Sequence, residues 1–278
     1  MNTLRTAVLL VIVGAIAVGV GAAFFGVNGA VIGLLIALAF QGISLFTGHK
    51  LALSFAHAQE LPANELPWLH AATAELARKA GVPTPKLYIS PDQQPNAFAA
   101  GWKPEVAVIC VNQGLLRVMP QDQVIAVVAH EMGHIKNRDT LTMTVAAAMS
   151  SFINMLAYLV YFIPVGGDNR RGNPLVHLAI LLLAPITATM IQLAISRTRE
   201  YAADKAAADL VGTPSPMIEA LYTLDRTADA LPSQTARPAT AHMYIASPFG
   251  SNGGGFGNLF RTHPTIEQRV AALRQASR

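Results

Sequence analysis

In "VVAHEMGHIKNRDTLTMTVAAAMSSFINMLAYLVYFIPV", residues 127–165, two histidines and a glutamate run directly into a long stretch without a charged side chain. Hydrolysis at a metal ion requires water, whereas an uncharged apolar stretch of this length is typical of a membrane span. The sequence therefore predicts a metal-binding helix that leads into the bilayer.

Composition supports a membrane protein. Of 278 residues, 52% are hydrophobic and only 13% are charged, against about 25% charged in ordinary soluble domains. Since a spanning helix needs about 20 apolar residues, the uncharged runs predict four transmembrane helices in two hairpins. A cleaved signal peptide for the first span, and buried soluble helices for the last two, remain alternatives. The uncharged runs are 6–49, which divides into spans at 5–25 and 29–48, then 140–167 and 172–196.

Basic residues near the span ends predict the orientation. By the positive-inside tendency, both termini and both polar segments lie in the cytoplasm. The chain has one cysteine, which agrees with a reducing compartment without deciding it, and no basic cluster with interleaved aromatics indicates nucleic-acid binding. The basic set on the cytoplasmic face is Arg5, Lys50, Lys136, Arg138, Arg197 and Arg199, against Arg170 and Arg171 on the other face.

The polar segments predict one domain that is interrupted by the second hairpin. The fold class is mainly α with a small β-sheet, because helical periodicity surrounds short β-branched runs. A helix is expected in "NELPWLHAATAELARKAGVP", with Asn64 as its N-cap and Gly81 as its stop signal. The expected divisions are 1–48 for the N-terminal hairpin, 49–139 for the first catalytic part, 140–196 for the second hairpin and 197–278 for the second catalytic part.

The motif H-E-x-x-H indicates a metal site. His130 and His134 are four residues apart, so both imidazoles project from one helical face toward one ion, and Glu131 takes the place of a general base. A catalytic zinc needs a third protein ligand. Either Glu200 or Asp204, four residues apart on a later helix, is the best candidate from spacing, one binding the ion while the other orients a ligand histidine. His242, His263 and Asp139 remain possible ligands, although Asp139 is expected instead to start the membrane helix.

Four quoted segments together resemble the HtpX family of membrane-bound zinc endopeptidases, which are relatives of the CAAX prenyl proteases. The segments are "HEMGH", "SRTREYAAD", "PNAFAAG" and "RTHPTIEQRV". The resemblance implies a zincin-like (gluzincin) domain with one zinc ion per chain, held by His130, His134 and Glu200. It further implies Glu131 as the catalytic base and Asp204 as the support of a ligand histidine. The family is associated with turnover of misfolded membrane proteins at the cytoplasmic face of the bacterial inner membrane.

Other residues complete the expected site. Protein or peptide substrates are expected to pair with an exposed strand edge by main-chain hydrogen bonds. His263 is either a donor to the oxyanion or a helix-capping residue, and residues 232–257 form either a flap or a linker. A metal transporter or a membrane scaffold is the rival function, since either combines spans with histidines without needing Glu131. The sequence leaves the oligomeric state open. The candidate edge consists of Asn96, Ala97, Phe98 and Ala99.

Overall fold

The computed structural model describes residues 2–146, 149, 152, 197–228, 245 and 264–276. In this part of the chain, helices surround one small mixed sheet. The expectation of a mainly α protein with a small β-sheet is confirmed.

The N-terminal helix α1, Asn2–Phe55, reverses direction at Phe25 and Gly26. Gly26 adopts φ 60° and ψ −148°, a conformation that glycine tolerates without steric cost. The two halves pack against each other, and the Gln41 Nε2 donates a hydrogen bond to the Leu10 carbonyl over 3.2 Å. Within the described residues, the second half, Phe25–Phe55, is the one helix long and apolar enough to cross a membrane. The expected second hairpin falls largely outside the described residues.

The sheet has four strands in the order β1-β2-β4-β3. β1 pairs antiparallel with β2, β2 pairs parallel with β4, and β3 pairs antiparallel with β4. The strand β3 is therefore an edge strand, with one side of its backbone unpaired by the sheet. The strands are β1 Gln59–Glu60, β2 Lys86–Ser90, β3 Ala97–Ala100 and β4 Val108–Asn112.

Helices cover the sheet and form the main core. This core is built from apolar side chains of α2, α4, α5, α6 and α7 together with those of β2, β3 and β4. Residues 139–146, after α4, are again helical. The bounds are α2 Pro67–Ala80, α3 Gln113–Val118, α4 Gln121–Lys136, α5 Arg197–Val211, α6 Ser215–Ala228 and α7 Ile266–Ala276.

The start of α2 differs from the expectation. The helix is preceded by Leu66 in the left-handed region, with φ 49° and no side-chain cap, so the prediction of Asn64 as N-cap is wrong. Pro67 disfavours the right-handed helical conformation in the residue before it and itself begins the helix without needing a capped N–H. The helix ends, as expected, at Gly81, whose φ is 71°.

Candidate metal centre

One buried face of α4 carries the motif residues. His130 and His134 are 1% and 3% exposed, and their rings meet edge to face with centroids 4.7 Å apart. Glu131 is 4% exposed, and Val127 and Ile135 on the same helix are fully buried. Core packing of α4 thus fixes the direction in which the two imidazoles and the carboxylate project.

The helix α5 reaches these residues because Gly133 leaves room for it. A Cβ on Gly133 would lie 3.0 Å from the Ala206 Cβ and 3.2 Å from the Ala203 Cα. Small residues on both helices therefore allow the two backbones to approach closely. As a result, Glu200 and Asp204 are buried beside the motif histidines.

Three side chains converge at one point. The Nε2 atoms of His130 and His134 lie 3.2 Å apart. His130 Nε2 lies 3.8 Å from Glu200 Oε2, and His134 Nε2 lies 3.7 Å from the other oxygen, Glu200 Oε1. A tetrahedral zinc with bonds of about 2.0–2.1 Å separates its ligand atoms by about 3.3–3.4 Å. The triangle of donor atoms therefore fits a metal ion of that size.

The remaining ring nitrogens of both histidines face carboxylates. His130 Nδ1 lies 2.9 Å from Asp204 Oδ1, and His134 Nδ1 lies 3.1 Å from Asp139 Oδ2. An Nδ1–H that donates to a carboxylate fixes the tautomer and leaves the Nε2 lone pair free for a metal. Both imidazoles are thus oriented as metal ligands require.

Two arginines in turn hold these carboxylates. The guanidinium of Arg269, on α7, donates to Asp204 through Nε over 2.8 Å and through Nη2 over 2.5 Å. Its Nη1 lies 3.6 Å from Glu200 Oε2. On α5, Arg199 Nη1 lies 3.8 Å from Asp139 Oδ1. Because Arg269 is fully buried, α7 is part of the centre and not only a covering helix.

The charges of the described residues also favour a divalent ion. Four buried carboxylates, those of Glu131, Asp139, Glu200 and Asp204, lie around the two motif histidines and near two guanidinium groups. When the carboxylates and guanidinium groups are ionised and both histidines are neutral, as metal ligands must be, these groups lack two positive charges, and buried charges need compensation. One divalent cation supplies that charge.

The pKa values of the buried groups reflect both burial and the charges of their neighbours. Burial alone would raise the pKa of Asp204, but Arg269 and His130 lower it to about 2. Burial alone would lower the pKa of His134, but its hydrogen bond to Asp139 and the nearby glutamates raise it to about 9. Burial raises the pKa of Glu131 above its ordinary value. A raised pKa suits a carboxyl that accepts and returns a proton near neutral pH.

The edge strand β3 borders Glu131. The Ala99 N–H donates to Glu131 Oε2 over 2.8 Å, so the Ala99 main chain faces away from β4. The neighbouring Asn96 carbonyl accepts from Asn112 N over 2.9 Å and faces the sheet. Since main-chain groups alternate in direction along an antiparallel strand, the main-chain groups of Ala97 and Ala99 point away from β4, where both residues are buried, at 0% and 3% exposure.

The other two residues of the expected edge have different contacts. Asn96 Oδ1 accepts a hydrogen bond from Ile245 N over 3.0 Å, so Ile245 meets the start of β3. Phe98 is 6% exposed and packs with Ala52 and Leu53 at the end of α1. Both side chains are therefore engaged inside the protein.

The structure brings His130, Glu131, His134, Glu200 and Asp204 together as expected. Asp139 lies in the helical stretch 139–146, as anticipated, and also contacts His134. From the sequence, Asp139 was a possible ligand that was expected instead to start the helix, and its contact with His134 was not predicted. His242 and His263 lie outside the described residues.

Sequence reasoning also missed Arg269. The helix α7 begins after a capping box in which Thr265 and Gln268 exchange hydrogen bonds. Arg269 lies beside Val270 and Leu273, which are buried. An arginine on the apolar face of an amphipathic helix was the available signal, because such a charge needs a buried partner.

Comparison with known proteins identifies the class. Residues 63–277 match the model of peptidase family M48, and the chain belongs to that family. It is a metalloprotease by this membership, and the buried His, His and Glu cluster is its possible metal site.

Close relatives extend over the whole chain. The chain is 42% identical over 277 residues to a protease HtpX homolog of Thermococcus kodakarensis, covering 98% of this chain and 95% of the relative. It is 39% identical over 275 residues to a protease HtpX homolog of Methylibium petroleiphilum, covering 98% and 96%. The crystal structure of S. mikatae Ste24p is similar with a TM-score of 0.49 and 19% identity, covering 98% of this chain and 65%, just under two thirds, of that protein.

Proposed function

We propose that this chain is a zinc-dependent endopeptidase of the bacterial inner membrane that cuts misfolded membrane proteins on the cytoplasmic side. The observation that carries the proposal is the buried cluster of two imidazole Nε2 atoms, 3.2 Å apart, and the Glu200 carboxylate, whose two oxygens lie 3.8 Å from one Nε2 and 3.7 Å from the other. Two imidazoles and one glutamate are a ligand set of catalytic zinc sites. In this proposal His130, His134 and Glu200 bind one zinc ion.

The residues around the ligands take defined roles. When bound, zinc lowers the pKa of a coordinated water toward about 7 and polarises the scissile carbonyl. Glu131 accepts the proton of the attacking water and returns it to the leaving amine. Asp204 and Asp139 hold the ligand imidazoles in the required tautomer. His263 remains the proposed second donor to the oxyanion.

Substrates bind as extended peptides along β3. The outward main-chain groups of Ala97 and the outward carbonyl of Ala99 pair with a peptide backbone of any sequence, as in β-strand addition, while the Ala99 N–H holds Glu131 beside them. Asn96 and Phe98 support the strand from within through their contacts with Ile245 and α1. Such recognition suits a protease that removes damaged proteins, because damage exposes many different sequences.

The proposed organisation is a multi-pass protein with a cytoplasmic catalytic domain. It consists of hairpins 1–48 and 140–196 and of catalytic parts 49–139 and 197–278. The apolar helix Phe25–Phe55 and the basic residues near the span ends support this arrangement. Residues 232–257 serve in it as a linker.

The first experiment compares wild type with Glu131→Gln. Detergent-purified protein is incubated with an unfolded model protein, and bound zinc is quantified by mass spectrometry of the metal. We expect one zinc ion in both proteins and cleavage only by wild type, because the substitution removes the base and leaves the three ligands in place.

Asp122→Asn is the matched control, since Asp122 lies on the exposed start of the same helix. It should cleave like wild type. If wild type and Glu131→Gln bind zinc and neither cleaves under any detergent condition, the endopeptidase proposal fails and a scaffold or transport role gains support.

A further inference from the structure

The substrate edge is tied to membrane helices at its C-terminal end. Gly101 follows β3, and its N–H donates to Thr144 Oγ1 over 3.2 Å inside the protein. Thr144 also touches the second half of α1, because a Cβ on Gly48 would overlap the Thr144 methyl group. The residue after β3 therefore lies where two apolar helices meet.

The next residue, Trp102, packs on the same helix. Its ring meets that of Phe46 edge to face with centroids 5.3 Å apart. Lys103 Nζ lies 4.8 Å from the centre of the Trp102 ring, and Lys103 pairs with Glu105 over 4.0 Å. An amphipathic ring between an apolar helix and a lysine is the arrangement found at membrane surfaces.

The exposed surface of α1 gives the position of that boundary. Large apolar side chains are exposed along its second half as far as Phe46. They are followed by Thr47, Gly48, His49 and Lys50, and Lys50 is exposed and is the first charge after the run 6–49. The lipid-facing surface of α1 therefore ends at the level of Trp102.

From these contacts we infer that Trp102 lies at the membrane surface. The C-terminal end of β3, and with it one end of the substrate-binding edge, therefore lies next to the bilayer. The inference rests on the proposed function and names its substrate class: segments that directly follow a transmembrane span. Ala99, whose N–H meets Glu131, is three residues before Trp102, and even an extended chain rises only about 3.3 Å per residue, so Ala99 lies within about 10 Å of the level of Trp102. A substrate leaving the bilayer along β3 reaches Glu131 after about three extended residues.

The geometry is tested first without activity. The chain has two tryptophans, so Trp68→Phe leaves Trp102 as the only one, and Trp102→Phe leaves Trp68, which lies in α2 and packs against the main core. Each variant is placed in vesicles of lipids brominated near the headgroup or deep in the acyl chain, and tryptophan fluorescence is measured. Should Trp68→Phe lower the unfolding temperature, Trp68→Tyr replaces it.

We expect the shallow bromines to quench Trp102 more strongly than the deep ones, and neither to quench Trp68. An unquenched Trp102, or one quenched most by deep bromines, overturns the inference whatever the enzyme cleaves.

The distance from the membrane at which the enzyme cuts is tested with three substrates that share one cleavable sequence. The first carries it directly after a transmembrane span, the second behind a semi-rigid (EAAAK)-type helical spacer of about 30 residues, or about 45 Å, and the third is the free peptide. The enzyme and the first two substrates are placed in the same liposomes. We expect the spaced substrate to be cut more than about tenfold more slowly than the unspaced one, because a linker that cannot span two sites removes the effective concentration.

The three substrates separate the two proposals. Cleavage of the free peptide together with equal rates for both anchored substrates overturns the inference and leaves the endopeptidase in place. No cleavage of any substrate contradicts the proposed function itself, while the fluorescence result still decides where Trp102 lies.

Discussion

At the scale of single residues, each metal-facing imidazole is held by a carboxylate and each carboxylate by an arginine. The chain of contacts runs from His130 through Asp204 to Arg269, and from His134 through Asp139 to Arg199. Arg269 differs from Arg199 because it is fully buried and binds its carboxylate through two nitrogens. Removing Arg269 therefore leaves the buried Asp204 carboxylate without its counter-charge and without access to water.

We predict that Arg269→Met lowers both stability and metal affinity. Breaking a buried ion pair by removing one partner costs about 3–5 kcal/mol, and loss of a partner behind a metal ligand typically weakens metal binding about 10–100-fold. Thermal unfolding and competition with a metal-binding dye measure the two effects. Arg269→Lys should restore part of the affinity, since it keeps the charge without the two-nitrogen geometry.

Arg274→Met on the exposed side of the same helix is the control, and it should change neither quantity appreciably. If Arg269→Met unfolds at the wild-type temperature and binds metal equally well, the arginine has no positioning role.

At the scale of elements, the centre depends on how closely α4 and α5 approach. Gly133 is the residue that sets this distance, because a side chain there meets Ala206 and the backbone of Ala203. The two helices together supply all three proposed ligands. A small change in their separation therefore acts directly on the triangle of donor atoms.

We predict that Gly133→Ala reduces metal affinity and lowers the unfolding temperature. Alanine favours a helix over glycine by about 1 kcal/mol, but overpacking costs about 1–3 kcal/mol, and here the new methyl group would meet backbone atoms. Gly42→Ala is the matched control, since Gly42 is also helical and an added Cβ there meets nothing within 4 Å. Equal metal affinity in both variants would show that the α4–α5 distance does not limit the site.

Local sequence rules predicted the helix of the H-E-x-x-H motif, the small sheet and the end of α2 at Gly81 correctly. The i,i+4 spacing of His130 and His134, for example, needs only a helix. The same rules placed the cap of α2 at Asn64 wrongly, since Pro67 altered the backbone before it.

Contacts that are distant in sequence were beyond these rules. Arg269 meets Asp204 across 65 residues and His130 across 139. No periodicity within one segment reports which carboxylate a buried arginine faces. The role of Asp139 was missed for a related reason: its position at a helix start gave a sufficient local explanation.

At the scale of the whole molecule, the helices in the described part of the chain surround a cluster of buried groups that has more carboxylates than guanidinium groups. Four buried carboxylates lie together with the buried guanidinium group of Arg269 and the largely buried one of Arg199. In the proposed function, a divalent ion held by His130, His134 and Glu200 would join α4 to α5 and also neutralise this charge. Metal binding and folding stability are therefore coupled.

We predict that a strong chelator lowers the unfolding temperature of wild type. A ligand that binds only the folded state stabilises it by about 2.7 kcal/mol at 100 times its dissociation constant, and this contribution is lost when the ion is removed. Differential scanning fluorimetry with and without chelator measures the change. The Glu200→Gln variant should respond much less, and an equal response of both proteins would mean that the chelator acts elsewhere.

The docking of α7 in the centre also sets an order of events during synthesis. The ribosome makes His130 and His134 first, Glu200 and Asp204 after the inserted segment, and Arg269 last among these residues. Until α7 has left the ribosome and folded back, the carboxylate that orients His130 has no counter-charge. The growing polypeptide therefore carries the H-E-x-x-H helix long before the arginine that neutralises Asp204 has been made.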